Sequence, residues 1–210
     1  MNPSPATVFI VDDDASFLRS VSRLLRAAGY AVQTFESAKE LLERLSPESS
    51  GCVLADLQMP GMNGLELQEA LGRLANPLPV IFLSGQGDIP TTVQAMRRGA
   101  EDFLTKLSPK EKLLDAVRRS LARDLRERKQ RERLRILHER FAALTLRERE
   151  VLGHVVRGRL NKQIAADLGI NVRTVKLHRT NLTRRLRIHS VAELTRLAEE
   201  AGWFKDEKLQ

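Results

Sequence analysis

Acidic residues follow two short apolar runs of this sequence at the point where each run ends. Asp12, Asp13 and Asp14 come directly after TVFIV, and Asp56 follows CVLA. Carboxylates that converge from two neighbouring strands repel one another, and their pKa values rise unless a cation compensates them. A hard divalent ion with oxygen ligands, above all Mg²⁺, is the natural compensator. One carboxylate can then attack a phosphoryl group whose negative charge the metal neutralises.

A hydroxyl and an amine follow two later apolar runs. Ser84 closes PVIFLS (79–84), and Lys106 comes directly after DFLT (102–105). Ligands of open parallel sheets bind at the carboxyl ends of the strands, so polar groups at four strand ends favour one site. Each group alone has an ordinary explanation. The acidic triplet can cap the next helix, with Asp14 as the predicted cap, and Asp56 can be a turn residue of DLQMPG.

The elements that must position these groups are short strands alternating with helices. Apolar runs bounded by turns predict strands at 7–11, 31–35, 52–55, 79–84 and 102–105. Apolar residues at three- and four-residue steps predict helices over 17–28, 38–45, 65–74 and 91–98. A fifth helix carries an apolar stripe of Leu113, Leu114, Val117, Leu121 and Leu125. This alternation predicts an α/β domain with one parallel sheet covered on both faces.

Charge divides the chain into two parts. Residues 1–125 hold 14 Lys and Arg against 16 Asp and Glu, whereas residues 126–210 hold 21 against 11. A near-neutral part followed by a basic part predicts two domains, the second facing a polyanion. The single cysteine, Cys52, excludes an internal disulfide. Because no apolar run approaches the ~20 residues that span a bilayer and the N-terminus lacks signal-peptide features, we expect a cytoplasmic protein with no membrane partner.

The basic part begins with a charged helix and continues with four short helices. In and after RERKQRERLRILHERF (126–141), the apolar positions in register are Leu134, Leu137, Phe141 and Leu144. This pattern is typical of a helical linker, either a weak coiled coil or a solvated single helix. The residues that can cap the short helices are Thr145 (in a capping box with Glu148), Asn161, Asn171 and Ser190. Four such helices predict a compact all-α domain.

The third short helix, 172–187, has an apolar face and a basic face. The apolar positions that share the core side of a helical wheel are Val172, Val175, Leu182 and Leu186. The opposite side holds Arg173, Thr180 and Arg184, with Leu177 among them and Lys176 at the flank. A leucine there could touch a thymine methyl while its neighbours reach bases and phosphates in a major groove. A solvated basic face with one exposed leucine is the other explanation.

Four motifs of the first part resemble those of two-component response regulators: VDDD (11–14), DLQMPGMNG (56–64), SGQGD (84–88) and FLTK (103–106). The resemblance implies a flavodoxin-like receiver with strand order 2-1-3-4-5. It implies that Asp56 is the phosphoacceptor and that Ser84 and Lys106 contact the phosphoryl oxygens. It implies an Mg²⁺ site made by Asp13, Asp56, the backbone carbonyl of Gln58 and, through water, Asp12. Phe103 would be an aromatic switch.

By this resemblance, phosphorylation works as a switch. A phosphoryl group adds about −1.5 to −2 charges at Asp56, draws Ser84 toward its oxygens and lets Phe103 turn, which alters a surface on which such receivers dimerise. The chain departs from the family at Leu107, because a proline usually follows the lysine through a cis peptide. A cis bond without proline costs about 3–4 kcal/mol, so we expect a trans peptide that displaces Lys106 and slows phosphorylation.

The second part resembles the LuxR-type helix-turn-helix of NarL/FixJ regulators, nearest to the FixJ/TodT/StyR-type branch. The motifs that carry this resemblance are TLREREVL (145–152), NKQIA (161–165) and TVKLH (174–178). It implies that the last helix, around 191–197, pairs two domains on a two-fold DNA site. The predicted DNA contacts are Arg173, Thr174, Lys176, Leu177, Arg179, Thr180 and Arg184. The predicted domains are a receiver (1–122), a helical linker (123–143) and a DNA-binding domain (144–210).

We therefore expect a transcription regulator that is not an enzyme. A sensor histidine kinase would phosphorylate Asp56 with Mg²⁺, and phosphorylation would promote homodimerisation and binding to promoter DNA. Two other interpretations stay open. Leu107 supports a phosphorylation-independent DNA-binding regulator with an atypical receiver. An aspartate-nucleophile phosphatase commonly carries a second acid two residues after the nucleophile, where this chain has Gln58.

Overall fold

The computed structural model describes residues 6–85 and 89–203, which divide into two compact units, Met1–Arg128 and Lys129–Gln210. Residues 86–88 of the SGQGD motif lie outside the described residues, as do 1–5 and 204–210 at the ends of the predicted domains. The predicted boundaries at 122/123 and 143/144 stay predictions. In the ranges that are described, every helix is too short or too polar to cross a lipid bilayer.

The first unit is built on one parallel sheet of five strands in the order β2-β1-β3-β4-β5, which confirms the predicted topology. The strands are β1 (Thr7–Val11), β2 (Ala31–Phe35), β3 (Gly51–Asp56), β4 (Val80–Ser84) and β5 (Asp102–Thr105). β4 begins one residue later than predicted, since Pro79 has no N–H to donate to the ladder. β3 is longer than predicted at both ends, so Asp56 is itself a strand residue.

Helices cover both faces of the sheet, as the alternating pattern predicts. The helices of this unit are α1 (Ala15–Ala27), α2 (Ala38–Arg44), α3 (Gly64–Gly72), α4 (Ile89–Arg97) and the start of α5 (Lys110–Ala142). Alternate residues of β1 point to opposite faces: Phe9 and Val11 join one buried cluster, with residues of α2, α3 and α4. Val8 and Ile10 join the other cluster, with residues of α1 and α5.

The apolar stripe of α5 ends earlier than predicted. Leu113 and Val117 are buried against the sheet, whereas Leu125 is 55% exposed, so its assignment to the stripe was wrong. The buried position in this turn is Asp124, one residue earlier, whose Oδ2 accepts a 3.0 Å hydrogen bond from the Gly51 N–H. Residues 113, 117 and 124 share a face because seven residues complete about two turns.

The described residues of the second unit form helices and no strand, as predicted. Its helices are α6 (Leu146–Val156), α7 (Asn161–Leu168), α8 (Val172–Leu186) and α9 (Val191–Glu200), together with the end of α5. Leu137 and Phe141 of α5 are buried in the core of this unit, as is Leu144. The predicted linker is therefore helical, but neither a coiled coil nor a solvated helix accounts for these side chains.

Asp14 caps α1, as predicted, and three of the four helix caps predicted in the second unit are confirmed. Thr145 forms the capping box of α6 with Glu148, and Asn171 and Ser190 accept hydrogen bonds at the starts of α8 and α9. The predicted cap at Asn161 was wrong. Asn161 is the first residue of α7, and its side chain is used elsewhere, as an acceptor for Arg179.

Candidate acidic site and basic helix

The carboxyl ends of the strands bring the predicted acidic residues together at one edge of the sheet. Asp12 follows β1 and Asp56 ends β3, and the pairing of Val11 with Ala55 places the two acids side by side. Asp12 is 1% exposed and Asp56 is 8% exposed, while Asp13 faces solvent. Two buried carboxylates that lie side by side require compensation by a positive charge or by hydrogen-bond donors.

Both kinds of compensation are present. The Asp14 N–H donates to Asp12 Oδ1 at 3.0 Å, and the Leu57 N–H donates to Asp56 Oδ1 at 2.7 Å. The second oxygen of each carboxylate faces Lys106, whose Nζ lies 2.7 Å from Asp12 Oδ2 and 3.1 Å from Asp56 Oδ2. Each buried carboxylate therefore has one oxygen bound by the backbone and one paired with the ammonium.

The loop that carries Lys106 corrects one prediction. The peptide bond between Lys106 and Leu107 is trans, as expected, and none of the described peptide bonds is cis. The expected displacement of Lys106 was nevertheless wrong. The Lys106 N–H donates to the Ser84 carbonyl at 2.8 Å, and a turn closes when the Ser108 N–H donates to the Thr105 carbonyl at 2.9 Å. This turn directs Lys106 into the site and leaves Leu107 91% exposed.

The pKa values reflect this arrangement. Burial raises the pKa of the Asp12 carboxyl, and the hydrogen bond from Lys106 offsets only part of the rise. Burial by itself lowers the pKa of the Lys106 ammonium, but its hydrogen bonds to Asp12 and Asp56 outweigh this effect, so the pKa stands above its ordinary value. Lys106 is therefore a fixed positive charge near neutral pH.

The acidic residues also have the chemistry of a divalent-cation site. Carboxylate oxygens of Asp12, Asp13 and Asp56 lie within 4.8 Å of one another, and hard oxygen donors suit Mg²⁺. Beside them is an open cavity of about 580 Å³ whose lining includes Asp13 and Gln58. The donor set fits the ion that the sequence predicts, whereas a role for the Gln58 carbonyl stays a prediction.

The other two predicted residues of this site lie on neighbouring strands. Ser84 ends β4 and is 2% exposed. Asp56 pairs with Leu83, so Ser84 lies one residue beyond it along the sheet edge. Phe103 lies within β5 and is half-buried, with its ring centroid 6.2 Å from that of Phe82. Their roles as phosphoryl contact and switch stay predictions.

Two further residues shape the site, and neither was predicted from the sequence to belong to it. The Phe17 ring lies 4.5 Å from Lys106 Nζ, measured to the ring centroid. Gly64, the first residue of α3, packs so closely that a Cβ there would lie 2.5 Å from the Asp56 carbonyl oxygen and 2.9 Å from the Phe82 ring. The glycine in DLQMPGMNG therefore lets α3 begin directly against the strand that carries Asp56.

In the second unit, α8 exposes the side that was predicted to be basic. Leu177 is 58% exposed, and Arg173, Lys176, Thr180 and Arg184 are also exposed. Val175, Leu182 and Leu186 form the buried side, as predicted, while Val172 is partly buried. Within the described part of the chain, no ion pair involves Arg173, Lys176 or Arg184, so their positive charges are available to a partner.

Three of the predicted contact residues also make side-chain hydrogen bonds within the unit, and one of these is Thr180, whose hydroxyl donates to the Lys176 carbonyl at 3.1 Å. The Thr174 hydroxyl donates to the capping side chain of Asn171 at 3.0 Å. Arg179 is half-buried, and its Nη1 donates to Asn161 Oδ1 at 2.7 Å, which joins α8 to the start of α7. α8 ends at Leu186, and the capping residue that follows, Arg187, has a left-handed φ of 54°, the one positive φ of a non-glycine residue in the described ranges.

Comparison with known protein families assigns both parts of the chain. Residues 8–118 match the response regulator receiver domain. Residues 142–198 match the family of bacterial regulatory proteins of the luxR type.

Individual relatives share this two-part organisation over most of their length. The chain is 41% identical over 197 residues to nodulation protein W of Bradyrhizobium diazoefficiens, covering 94% of this chain and 87% of that protein. It is 40% identical over 199 residues to the response regulator protein TodT of Pseudomonas putida, covering 95% and 88%. A low-resolution structure of the response regulator StyR is 44% identical, with a TM-score of 0.86, and the match covers 94% of this chain and 100% of that one.

Proposed function

The chain belongs to the response regulators that join a receiver domain to a LuxR-type DNA-binding domain, and from this premise we propose that phosphorylation of Asp56 controls its binding to promoter DNA. The observation that carries this proposal is the convergence of Asp12, Asp56 and Lys106, with both Nζ–carboxylate distances at or below 3.1 Å. A sensor histidine kinase is the proposed donor. Its phosphohistidine presents a phosphoryl group that a carboxylate can accept.

In the proposed transfer, a carboxylate oxygen of Asp56 attacks the phosphorus atom. The new O–P bond forms as the N–P bond of the phosphohistidine breaks, and the electron pair of that bond stays on the histidine nitrogen. The Asp56 oxygen that faces Lys106 is the proposed nucleophile, because it lies beside the cation that can bind the incoming phosphoryl oxygens, whereas the other oxygen accepts the Leu57 N–H. Lys106 then lies close to the phosphoryl oxygens and stabilises their charge.

The same residues support a role for Mg²⁺. Asp12, Asp13, Asp56 and the backbone carbonyl of Gln58 are the proposed ligands, with Asp12 acting through water. When bound, the ion supplies positive charge to the phosphoryl oxygens. Asp12 and Asp13 would present their carboxylates to the ion from the end of β1, and Lys106 supplies further positive charge from the end of β5.

The proposed signal passes from Asp56 to the surface formed by α4 and β5. Ser84 would bind a phosphoryl oxygen, and Phe103 would turn toward the space that this movement opens. Phe103 is suited to such a role because it is half-buried and lies next to Phe82 rather than within a fully packed site. The altered surface would promote homodimerisation, which brings two DNA-binding domains to a two-fold site.

The proposed DNA contact is the exposed side of α8. Exposed cations without an internal ion pair can neutralise phosphates and release counterions, and Leu177 can contact a thymine methyl. Arg179 and Thr174 are weaker candidates for direct contact, because each is bound to an asparagine of its own unit. They can still hold α7 and α8 in the geometry of a helix-turn-helix.

The test is sedimentation of the purified protein with Mg²⁺, with and without beryllofluoride, which mimics a phosphoryl group. We expect a shift from monomer to dimer in the wild type and none in Asp56→Asn. The same samples are then titrated with promoter DNA. A wild type that binds DNA equally well with and without beryllofluoride, and does not change its mass, would contradict the proposal and support an atypical receiver.

A further inference from the structure

We propose that Phe17 is a positioning residue for Lys106, holding the ammonium at the acidic site through a cation–π contact. This inference rests on the proposed phosphorylation of Asp56. It concerns a residue that belongs neither to the acidic cluster nor to the loop that carries the lysine. The observation that carries it is the 4.5 Å distance from Lys106 Nζ to the centre of the Phe17 ring, well inside the ~6 Å range of such contacts.

The ring itself is held firmly. Phe17 lies in the first turn of α1, where its N–H donates to the capping carboxylate of Asp14 at 3.2 Å. The side chain is half-buried and packs against the cluster formed by the sheet with α1 and α5. One part of the ring is therefore anchored on the core while its face is presented to the lysine.

Lys106 needs such a support because its own loop restrains only its backbone. The trans turn fixes the backbone of Lys106 through the Ser84 carbonyl, but a lysine side chain has four rotatable bonds, and ordering it costs conformational entropy. Leu107 is 91% exposed and does not brace it. The contacts that order the side chain are therefore at its far end, with Asp12, Asp56 and Phe17.

These three contacts differ in how the reaction affects them. Transfer of a phosphoryl group to Asp56 changes the charge and the position of the oxygens that attract the ammonium, and a divalent cation competes for the same carboxylates. The quadrupole of the Phe17 ring stays the same throughout. Phe17 is thus the constant contact, which keeps Nζ at the site while its acidic partners change.

The contact can be measured directly, without phosphorylation. A proton above an aromatic ring has an upfield chemical shift, so the ε-methylene protons of Lys106 should be shifted upfield in the NMR spectrum of the lysine-labelled full chain. Loss of the signal in Lys106→Met assigns it. We expect Phe17→Leu to return the shift to the ordinary lysine position and Phe17→Trp to keep it upfield. The matched control is Tyr30→Leu, because Tyr30 packs against the same cluster and should leave the shift unchanged.

A double-mutant cycle tests the role in the reaction. With an acyl phosphate as donor and saturating Mg²⁺, we expect Phe17→Leu to slow phosphorylation of Asp56 about two- to tenfold, the range that a partly desolvated cation–π contact supports, and Phe17→Trp to restore the rate. In a Lys106→Met background, Phe17→Leu should have no further effect, because its target is absent.

Each failure has a distinct meaning. An equal slowing by Phe17→Leu in both backgrounds, or an unshifted Lys106 resonance in the wild type, would overturn the positioning role. A wild type that is not phosphorylated at all would instead contradict the proposed function. The NMR measurement would still decide whether Phe17 holds Lys106.

Discussion

The acidic site and the basic helix handle charge in opposite ways. At the acidic site two buried carboxylates share one ammonium, and backbone N–H groups bind their remaining oxygens. On α8, the exposed cations Arg173, Lys176 and Arg184 have no ion pair with any residue that the structure describes. The first arrangement is compensated inside the protein, whereas the second is open to a partner.

The two regions should therefore differ in their sensitivity to substitutions. The acidic site draws on the ends of β1, β3 and β5, so any change that moves one strand end alters distances throughout the site. The basic face is presented by a single helix, so one side chain can be removed with little effect on the others. Buried pairs are screened weakly by salt and exposed charges strongly, so the two regions should also respond differently to ionic strength.

The largest effect is expected from a substitution at the centre of the acidic site. Asp56→Asn removes the nucleophile and one partner of Lys106 while keeping the shape of the side chain. We expect complete loss of phosphorylation and of the dimer induced by beryllofluoride, measured by radiolabel transfer and sedimentation. DNA binding by the unmodified protein should persist, since α8 is in the other unit. Phosphorylation of Asp56→Asn at the wild-type rate would show that Asp56 is not the acceptor.

The acidic site should also depend on the close packing of α3 against β3. Gly64→Ala places a Cβ 2.5 Å from the Asp56 carbonyl oxygen, so α3 or β3 must shift. We expect destabilisation by about 2–3 kcal/mol, typical of overpacking, measured by urea unfolding, together with slower phosphorylation. Gly72→Ala is the matched control, because it lies on the same helix with nothing within 4 Å of the added atom. Equal effects of the two variants would contradict the close approach.

A smaller effect is expected from a substitution on the exposed basic face of α8. Lys176→Ala should weaken promoter binding by about 1–2 kcal/mol without lowering the stability of the protein. If Lys176 contacts a phosphate, the slope of log affinity against log salt should decrease by about one. Fluorescence anisotropy across a salt series measures both. Lys39→Ala, an exposed lysine of the receiver, serves as the control, and equal promoter affinity of wild type and Lys176→Ala would remove α8 from the proposed interface.

The smallest effect concerns the end of α8. Arg187 holds a left-handed φ of 54°, which costs a residue with a side chain more than it costs glycine. We expect Arg187→Gly to stabilise the second unit by about 0.5–1 kcal/mol, measured by thermal unfolding. Destabilisation instead would mean that the arginine side chain makes a contact worth more than the backbone strain.

The convergence of the acidic residues could be predicted from the sequence because strand ends in a parallel sheet must share an edge. Apolar runs of the sequence end at Asp12, Asp56 and Ser84. Once the runs are taken as parallel strands, these residues are expected to lie together. The same reasoning could not assign Phe17, because an aromatic residue in the first turn of an amphipathic helix has the pattern of a core residue. Only the folded structure shows that part of its ring remains free to face Lys106.

The errors have equally specific causes. The displacement of Lys106 was expected because the proline that usually fixes this loop is absent, but hydrogen bonds to Ser84 and Thr105 produce a suitable trans turn. Asn161 is a good capping residue by type, yet its side chain binds Arg179. On α8 the periodic pattern separated buried from exposed positions correctly, but periodicity carries no information about what the exposed side touches.

The left-handed residue at the end of α8 has a practical consequence for engineering. Arginine is strained in this left-handed conformation, whereas glycine is not. A single substitution that relieves the strain can therefore raise the thermal stability of the protein. That substitution also deletes a positive charge beside a helix proposed to bind a polyanion. A more heat-resistant variant of this regulator made at position 187 should therefore be screened for promoter occupancy as well as for its melting temperature.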